Sequence, residues 1–313
     1  MILSVSRRTD IPCYYADWFF NRIKEGRLYV RNPMNPRQVS QIDILPKVVD
    51  CIVFWTKNPE PMLERLEELK AYDYYFQFTL TPYGQDIEPY VPHKKERMIP
   101  VFQRLSEAIG KERVIWRYDP ILFNEVYTEE YHRKAFVQMA EALSGYTGRC
   151  VISFVDIYAK NKKEMERLKL TEKPEQEIRD FVKFLSKTAG EYKIEVAACA
   201  EGQDFSDCGV KRSSCIDREL IEQITGSRLK VTKDSGQRPE CGCVESMEVG
   251  TYDTCLNGCK YCYANGNRKR AEENYRLYDV GAPLLCGALQ PEDKITVRKV
   301  RSLKENQLEL WNL

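Results

Sequence analysis

Six short apolar or β-branched runs, each followed by a charged amphipathic stretch, limit what this chain can fold into. The first run is Ile2 to Ser6, and a helical pattern follows from Tyr14 to Glu25. Cys51 to Trp55 is second, with a helix expected from about Glu60 to Lys70 that starts at Pro59. Tyr74 to Leu80 precedes a helix from about His93 to Ile109, and Arg113 to Arg117 precedes one from Thr128 to Leu143. Val151 to Val155 leads to a helix over Pro174–Thr188, and Lys193 to Ala198 to a short one near Asp217–Ile224.

Strands alternating with helices, without tight hairpins between them, imply parallel βαβ units. No Gly-rich GxGxxG element follows the first run, which weighs against a dinucleotide-binding sheet. The expected fold is α/β, a partial (βα)6 TIM-like barrel over residues 1–226. One small hairpin interrupts it near 27–44, where Leu28–Arg31 and Val39–Ile42 flank Asn32-Pro33-Met34-Asn35-Pro36. After about Ser227 the composition shifts to Gly, Cys and charge, so residues 227–313 read as a cysteine-rich module packing on the barrel mouth. Within it, Lys294 to Leu313 fits strand and helix equally.

Composition narrows the function classes. Lys+Arg 48 against Asp+Glu 47 leaves a net charge of +1, which argues against nucleic-acid binding by bulk charge. No apolar run approaches the ~20 residues of a membrane span. The start, with Arg7, Arg8 and Asp10 soon after Met1, predicts no signal peptide. The expectation is a soluble, cytoplasmic protein with no membrane partner. Twelve cysteines are many for a reducing compartment, and most fall from Cys199 to Cys286. With His93 and His132 as the two histidines, a metal would be held by sulfur.

In a barrel of parallel strands the chemistry sits on the loops after the strands. Those loops read Ser6-Arg7-Arg8-Thr9-Asp10, Thr56-Lys57-Asn58, Thr79-Leu80-Thr81, Arg117-Tyr118-Asp119, Asp156 and Cys199-Ala200-Glu201. Polar residues suit any solvent-exposed strand end. All six loops being polar favours one converging site. Arg8, Lys57, Arg117 and Asp119 are the candidates for gripping a ligand, with Asp156 and Glu201 as hydrogen-bonding partners.

The sharpest motif is C-x3-C-x2-C, formed by Cys255, Cys259 and Cys262. Three thiolates in one short loop can wrap a corner of an iron–sulfur cubane, and Gly258 eases the curl of the backbone. Three ligands leave a fourth iron open. A zinc site and plain buried thiols are the competing readings, although zinc elements more often pair C-x2-C units. Cys199, Cys215, Cys241 and Cys243 form a second candidate group, for an auxiliary cluster, a structural zinc or merely buried thiols. Cys208 reads as incidental and Cys286 as core. Arg268-Lys269-Arg270 and Arg298-Lys299-Val300-Arg301 read as solvated helix faces rather than phosphate contacts.

The loop resembles the signature of the radical S-adenosylmethionine (SAM) superfamily, CxxxCxΦC, with Tyr261 as the aromatic. The resemblance implies a [4Fe–4S] cluster on Cys255, Cys259 and Cys262. It also implies SAM chelated to the unique iron, and reductive cleavage to a 5′-deoxyadenosyl radical with flavodoxin or ferredoxin as the reductant. It implies a partial (βα)6 barrel as well. In that superfamily the motif normally follows the first strand, whereas here it lies near the C-terminus. Either a C-terminal extension drops it onto the barrel mouth, or Met247 to Tyr252 is a strand feeding the loop in a permuted order. No Gly-Gly-Glu element follows the second run; Thr56, Lys57 and Asn58 occupy that loop by position.

Over nearly its whole length the chain also resembles the bacterial domain-of-unknown-function family numbered eighteen forty-eight. The similarity runs through Ser6–Pro12, Val30–Pro33, Phe54–Pro59, Trp116–Pro120 and Cys259–Ala264. The leading expectation is therefore a radical SAM enzyme of unknown substrate. Two alternatives stand beside it. One is a SAM-independent iron–sulfur or zinc protein that transfers electrons or scaffolds a partner. The other is a nucleic-acid repair or modification enzyme, since the Cys-x-Tyr-Cys-Tyr neighbourhood is similar to that of spore photoproduct lyases.

Overall fold

The computed structural model describes residues 1–305. The six apolar runs become six neighbouring strands of one parallel sheet. These are β1 (Ile2–Val5), β4 (Cys51–Thr56), β5 (Tyr74–Thr79), β6 (Val114–Ile121), β7 (Arg149–Phe154) and β8 (Glu195–Cys199). Two short strands that periodicity did not count extend it: β9 (Lys211–Ser213) beside β8, and β10 (Met247–Glu248) beside β1. The spatial order is β10-β1-β4-β5-β6-β7-β8-β9, every pairing is parallel, and among the described residues nothing joins β9 to β10. The molecule is thus an α/β fold on an open eight-stranded sheet rather than a closed barrel.

The expected hairpin forms as β2 (Arg27–Arg31) and β3 (Gln38–Asp43), antiparallel, with β11 (Lys294–Val297) parallel to β3 as a third strand. This resolves the first part of the ambiguous Lys294–Leu313 stretch as a strand. Residues 306–313 lie outside the described residues.

Alternation along the strands explains the layers. Leu3, Val5, Ile52, Phe54, Phe76, Phe78, Trp116 and Ile152 point into a core shared with the helices. Those helices are α2 (Ala16–Glu25), α4 (Ile99–Ile109), α5 (Glu129–Leu143) and α7 (Glu175–Glu191), following the short α1 (Ile11–Tyr14) and α3 (Glu60–Leu63). Ile2, Cys51, Val53, Tyr75, Ile115 and Val151 point the other way. There they meet Leu220 and Ile221 of α8 (Arg218–Thr225), with Ile216, Leu229 and Val244. The helices α6 (Lys162–Leu168) and α9 (Arg268–Arg276) complete the set.

Two expected helices are shorter than read. The stretch after β4 splits into α3 and a tight turn at Leu66–Leu69. The stretch from His93 opens as a wide turn over Lys94–Met98 before α4, because Pro100 lacks an amide proton to continue the ladder. Among the described residues no helix is long and apolar enough to cross a membrane.

Candidate functional site

The C-terminal ends of the sheet strands open into one cavity of about 460 Å³, within the range of small-molecule sites. Each of the six post-strand loops contributes at least one lining residue, among them Arg8, Thr56, Thr79, Arg117, Asp156 and Cys199. The motif cysteines Cys255, Cys259 and Cys262 line the same space, as do Tyr261 and all four thiols of Cys199, Cys215, Cys241 and Cys243.

The motif loop arrives from β10. Val249 N, just past that strand, donates to Ser4 O of β1 at 3.1 Å, so the loop starts at the edge of the sheet. Side chains from neighbouring loops then clamp it. Asn257 accepts from Tyr14 Oη at 2.9 Å and donates to Asp10 Oδ2 at 3.0 Å. Tyr15 Oη donates to Thr254 O at 2.7 Å, and Asn161 Nδ2 to Tyr261 O at 3.0 Å. Lys260 N donates to Ile87 O at 3.0 Å. Gly258 takes φ +67°, the left-handed conformation that the curl requires, and lies against the ring of Tyr90. Burial raises the pKa of all three motif thiols, and neighbouring thiols add to the effect at Cys255 and Cys259. At Cys259, pushed up to about 12, Lys57 works in the opposite direction.

Beneath the loop lies a buried ionic knot. Glu88, 1 % exposed, accepts from Lys57 Nζ at 2.8 Å, Lys94 Nζ at 2.5 Å and Thr81 Oγ1 at 2.7 Å, and also takes the Tyr261 hydroxyl. Burial alone would raise Glu88, but the two ammonium groups hold it at about 2. Lys57, expected as a SAM contact, therefore has its charge paired while it lines the cavity, with its ammonium 5.4 Å from the Tyr261 ring centre. Asp10 is the second anchor. It caps α1 through Cys13 N at 3.1 Å and accepts Lys57 N at 2.8 Å, tying the loops after β1 and β4 to Asn257.

A second polar group sits at the ends of β6 and β7. Arg117 donates to Asp119 through Nε at 2.8 Å and also through Nη2, while its Nη1 reaches Cys215 Sγ at 2.9 Å. Ser153 Oγ donates to Asp119. Asp156 pairs with Arg238 at 2.5 Å. Arg8 lies over the Tyr252 ring, 4.8 Å from its centre, and donates to Gly250 O at 3.4 Å.

Two sequence candidates do not line the cavity. Asn58 Oδ1 accepts Glu60 N at 3.1 Å and so serves the start of α3, and Thr56 Oγ1 accepts Asn58 N at 2.9 Å within the same turn. Glu201 accepts Phe154 N at 2.8 Å; burial, with Asp156 and Asp119 nearby, raises it to about 7.

The four dispersed cysteines do meet. Cys199 and Cys215 Sγ stand 3.3 Å apart, Ile216 N donates to Cys243 Sγ at 3.4 Å, and Cys243 adjoins both Cys215 and Cys241. Hydrogen bonds from Cys199 and Cys243, with Arg117 and Arg7 assisting against burial, bring Cys215 well below the usual thiol range. Among the described residues no three His, Cys, Asp or Glu side chains surround a common single-ion position.

Sequence reasoning missed Glu88 and Asn257, and it quoted Asp10 and Arg7 without giving them a role. Glu88 lies in a loop without periodicity, so only the fold reveals it. Asn257, inside the motif, could have been found as the one amide between the first two cysteines.

The family described as Domain of unknown function (DUF1848) matches residues 2–264, which include the whole eight-stranded sheet and the cysteine motif. No curated protein and no solved structure matches the chain.

Proposed function

The chain belongs to the DUF1848 family, whose description carries no activity, and we propose from the site's own chemistry that it is a radical SAM enzyme. The observation that carries this reading is the placement of Cys255, Cys259 and Cys262 together in the cavity where all six post-strand loops converge. The residues present fit an iron–sulfur cluster with an open iron. The donor set is three thiols, and the same cavity holds two buried polar atoms without hydrogen-bond partners, Arg7 Nη1 and Thr9 Oγ1. Such atoms are costly unless a ligand satisfies them. The parallel sheet, with its long helices packed into one core, supports a partial-barrel architecture. The edge position of β10, which feeds the cysteine loop, supports a motif that follows the first strand in a permuted chain order.

When bound and reduced, a [4Fe–4S] cluster on Cys255, Cys259 and Cys262 supplies one-electron cleavage of SAM to a 5′-deoxyadenosyl radical. The chain's own residues do the rest. Tyr261, held by Glu88, fixes the aromatic position of the motif, and Asp10 with Asn257 fixes the turn between its first two cysteines. Arg7 and Thr9 offer free donors to the polar groups of SAM, beside Thr56 and the Lys57 backbone. Arg117 with Asp119, Arg8 and Asp156 with Arg238 line the region left for substrate and orient its charged or hydroxyl groups. A flavodoxin or ferredoxin in a reducing cytoplasm is the fitting electron donor.

The test is formation of 5′-deoxyadenosine by anaerobically reconstituted protein with SAM and dithionite. Product above the no-protein background, absent from Cys255→Ala, Cys259→Ala and Cys262→Ala, supports the reading. A reconstituted protein that leaves SAM intact overturns it.

A further inference from the structure

Cys199, Cys215, Cys241 and Cys243 are not used by the three-thiol loop, yet they face the same cavity. They come from three separate segments: the end of β8, the loop after β9, and the stretch leading to β10. Their surroundings differ from those of the motif. Cys199, Cys241 and Cys243 are buried in the apolar cluster on the face of the sheet away from the long helices, and Cys215 packs against it.

Three features make this a built site rather than a chance gathering. The Cys215 loop is fixed by its carbonyl, which accepts from Tyr75 Oη at 2.6 Å and Gln77 Nε2 at 2.9 Å. Gly242 lets the Cys241–Cys243 segment lie against Ser214; a Cβ there would stand 2.6 Å from Ser214 Oγ. Two donors point at sulfur, Arg117 Nη1 at Cys215 and Ile216 N at Cys243.

We propose that Cys199, Cys215, Cys241 and Cys243 form a second, fully cysteine-ligated metal centre in the wall of this cavity. Four cysteine sulfurs gathered from three segments into one apolar cluster are a soft donor set, which a thiophilic cation takes up with release of the thiol protons, either as an iron–sulfur cluster or as zinc. Cys199 and Cys215 Sγ stand 3.3 Å apart, with Cys243 adjoining Cys215 and Cys241, so loading requires rotation of the cysteine side chains to open around the metal. With four protein ligands the centre has no open position, and it is therefore structural or electron-relaying and indifferent to SAM. The inference does not depend on the radical reading, because it concerns other ligands.

The experiment uses the full chain with Cys255, Cys259 and Cys262 all changed to Ala, which removes the first site. One sample is loaded anaerobically with iron and sulfide and another with zinc alone; after desalting, metal, sulfide and visible absorption are measured. The proposal expects retained iron with sulfide, or retained zinc, and loss of that metal when Cys215→Ser or Cys241→Ser is added. Cys208→Ser serves as the comparison and leaves metal content unchanged. Far-UV circular dichroism on each variant separates loss of metal from loss of fold. If Cys215→Ser unfolds the chain, protection of Cys199 and Cys243 from alkylation by added metal in the parent carries the same information. A parent that holds no metal, metal content indifferent to Cys215→Ser and Cys241→Ser in folded protein, or a Cys199–Cys215 disulfide in protein purified under reducing conditions overturns the proposal.

Discussion

Cys255, Cys259 and Cys262 belong to one curled loop, whereas Cys199, Cys215, Cys241 and Cys243 are brought together from segments far apart in the chain. The first group is held from outside, by Asn257, Tyr261 and the ionic knot at Glu88. The second is held by packing in an apolar cluster, with two donors aimed at sulfur. A loop with local spacing can keep a coordination site open, since each ligand is positioned by its own backbone. A site assembled from distant segments closes when the sheet forms, and its thiols then touch. The same residue type thus stands in two different settings, which the surrounding polar groups distinguish.

The largest expected effect separates the two groups outright. Any one of Cys255→Ala, Cys259→Ala or Cys262→Ala abolishes 5′-deoxyadenosine formation, while Cys208→Ser, which touches neither group, leaves it intact. Product analysis under dithionite reads the difference.

Next is the support beneath the motif. Glu88→Ala strands Lys57 and Lys94 without their shared carboxylate in a buried site, a loss of about 3–5 kcal/mol. Denaturant unfolding reads that loss. Glu88→Gln, which keeps an acceptor for Tyr261, should fall between Glu88→Ala and the parent. Equal stability of all three would remove the knot from the account. Asp10→Asn is milder, about 1–3 kcal/mol, because it exchanges one charged acceptor that serves Cys13, Lys57 and Asn257 for a neutral one.

For the second group, Gly242→Ala presses a methyl against the Ser214 hydroxyl. The hydroxyl can rotate, so the cost is about 1 kcal/mol, at the low end for overpacking. It should weaken metal retention by the dispersed cysteines and leave the motif's cluster unchanged.

A pH dependence belongs to neither group. Glu201 titrates at about 7 in the folded chain, raised by burial. Its contribution to stability is full below its ordinary value of 4.5 and is lost as pH rises through 7. His132, buried with its ring bonded to Tyr118 and Leu122, is lowered to about 4. Its contribution has the opposite sign: it is full above 6.5 and lost as pH falls through 4. Glu201→Gln should gain stability relative to the parent as pH rises from 4.5 to 7, measured by urea unfolding at each pH. A constant difference would show that Glu201 has no raised pKa.

Much of the frame was legible from residue pattern. The six buried strands are continuous β-branched and aromatic runs, which parallel pairing buries on both faces, and most of the helix patterns after them stand on the expected segments, the ones after β4 and β5 being shortened. The edges were not legible: β9 and β10 have three and two residues, too few for periodicity to register. The partner of the β2–β3 hairpin came from beyond the cysteine loop, a pairing that no local signal encodes. At the site, local spacing revealed the three motif cysteines. Glu88 stayed hidden because its meaning depends on two lysines and a tyrosine that only the folded chain brings to it. Asn58 shows a related limit, since position after a strand does not reveal that its Oδ1 accepts from Glu60 N at the start of α3.

The central claim is that the three-cysteine loop presents an iron with an open position to SAM. Electron paramagnetic resonance of the anaerobically reconstituted, dithionite-reduced chain, recorded with and without SAM, tests it most directly. The account predicts a [4Fe–4S]+ signal that changes on adding SAM and vanishes in Cys259→Ala. A reduced-cluster signal that SAM leaves unaltered, or one that survives intact in Cys259→Ala, would contradict it.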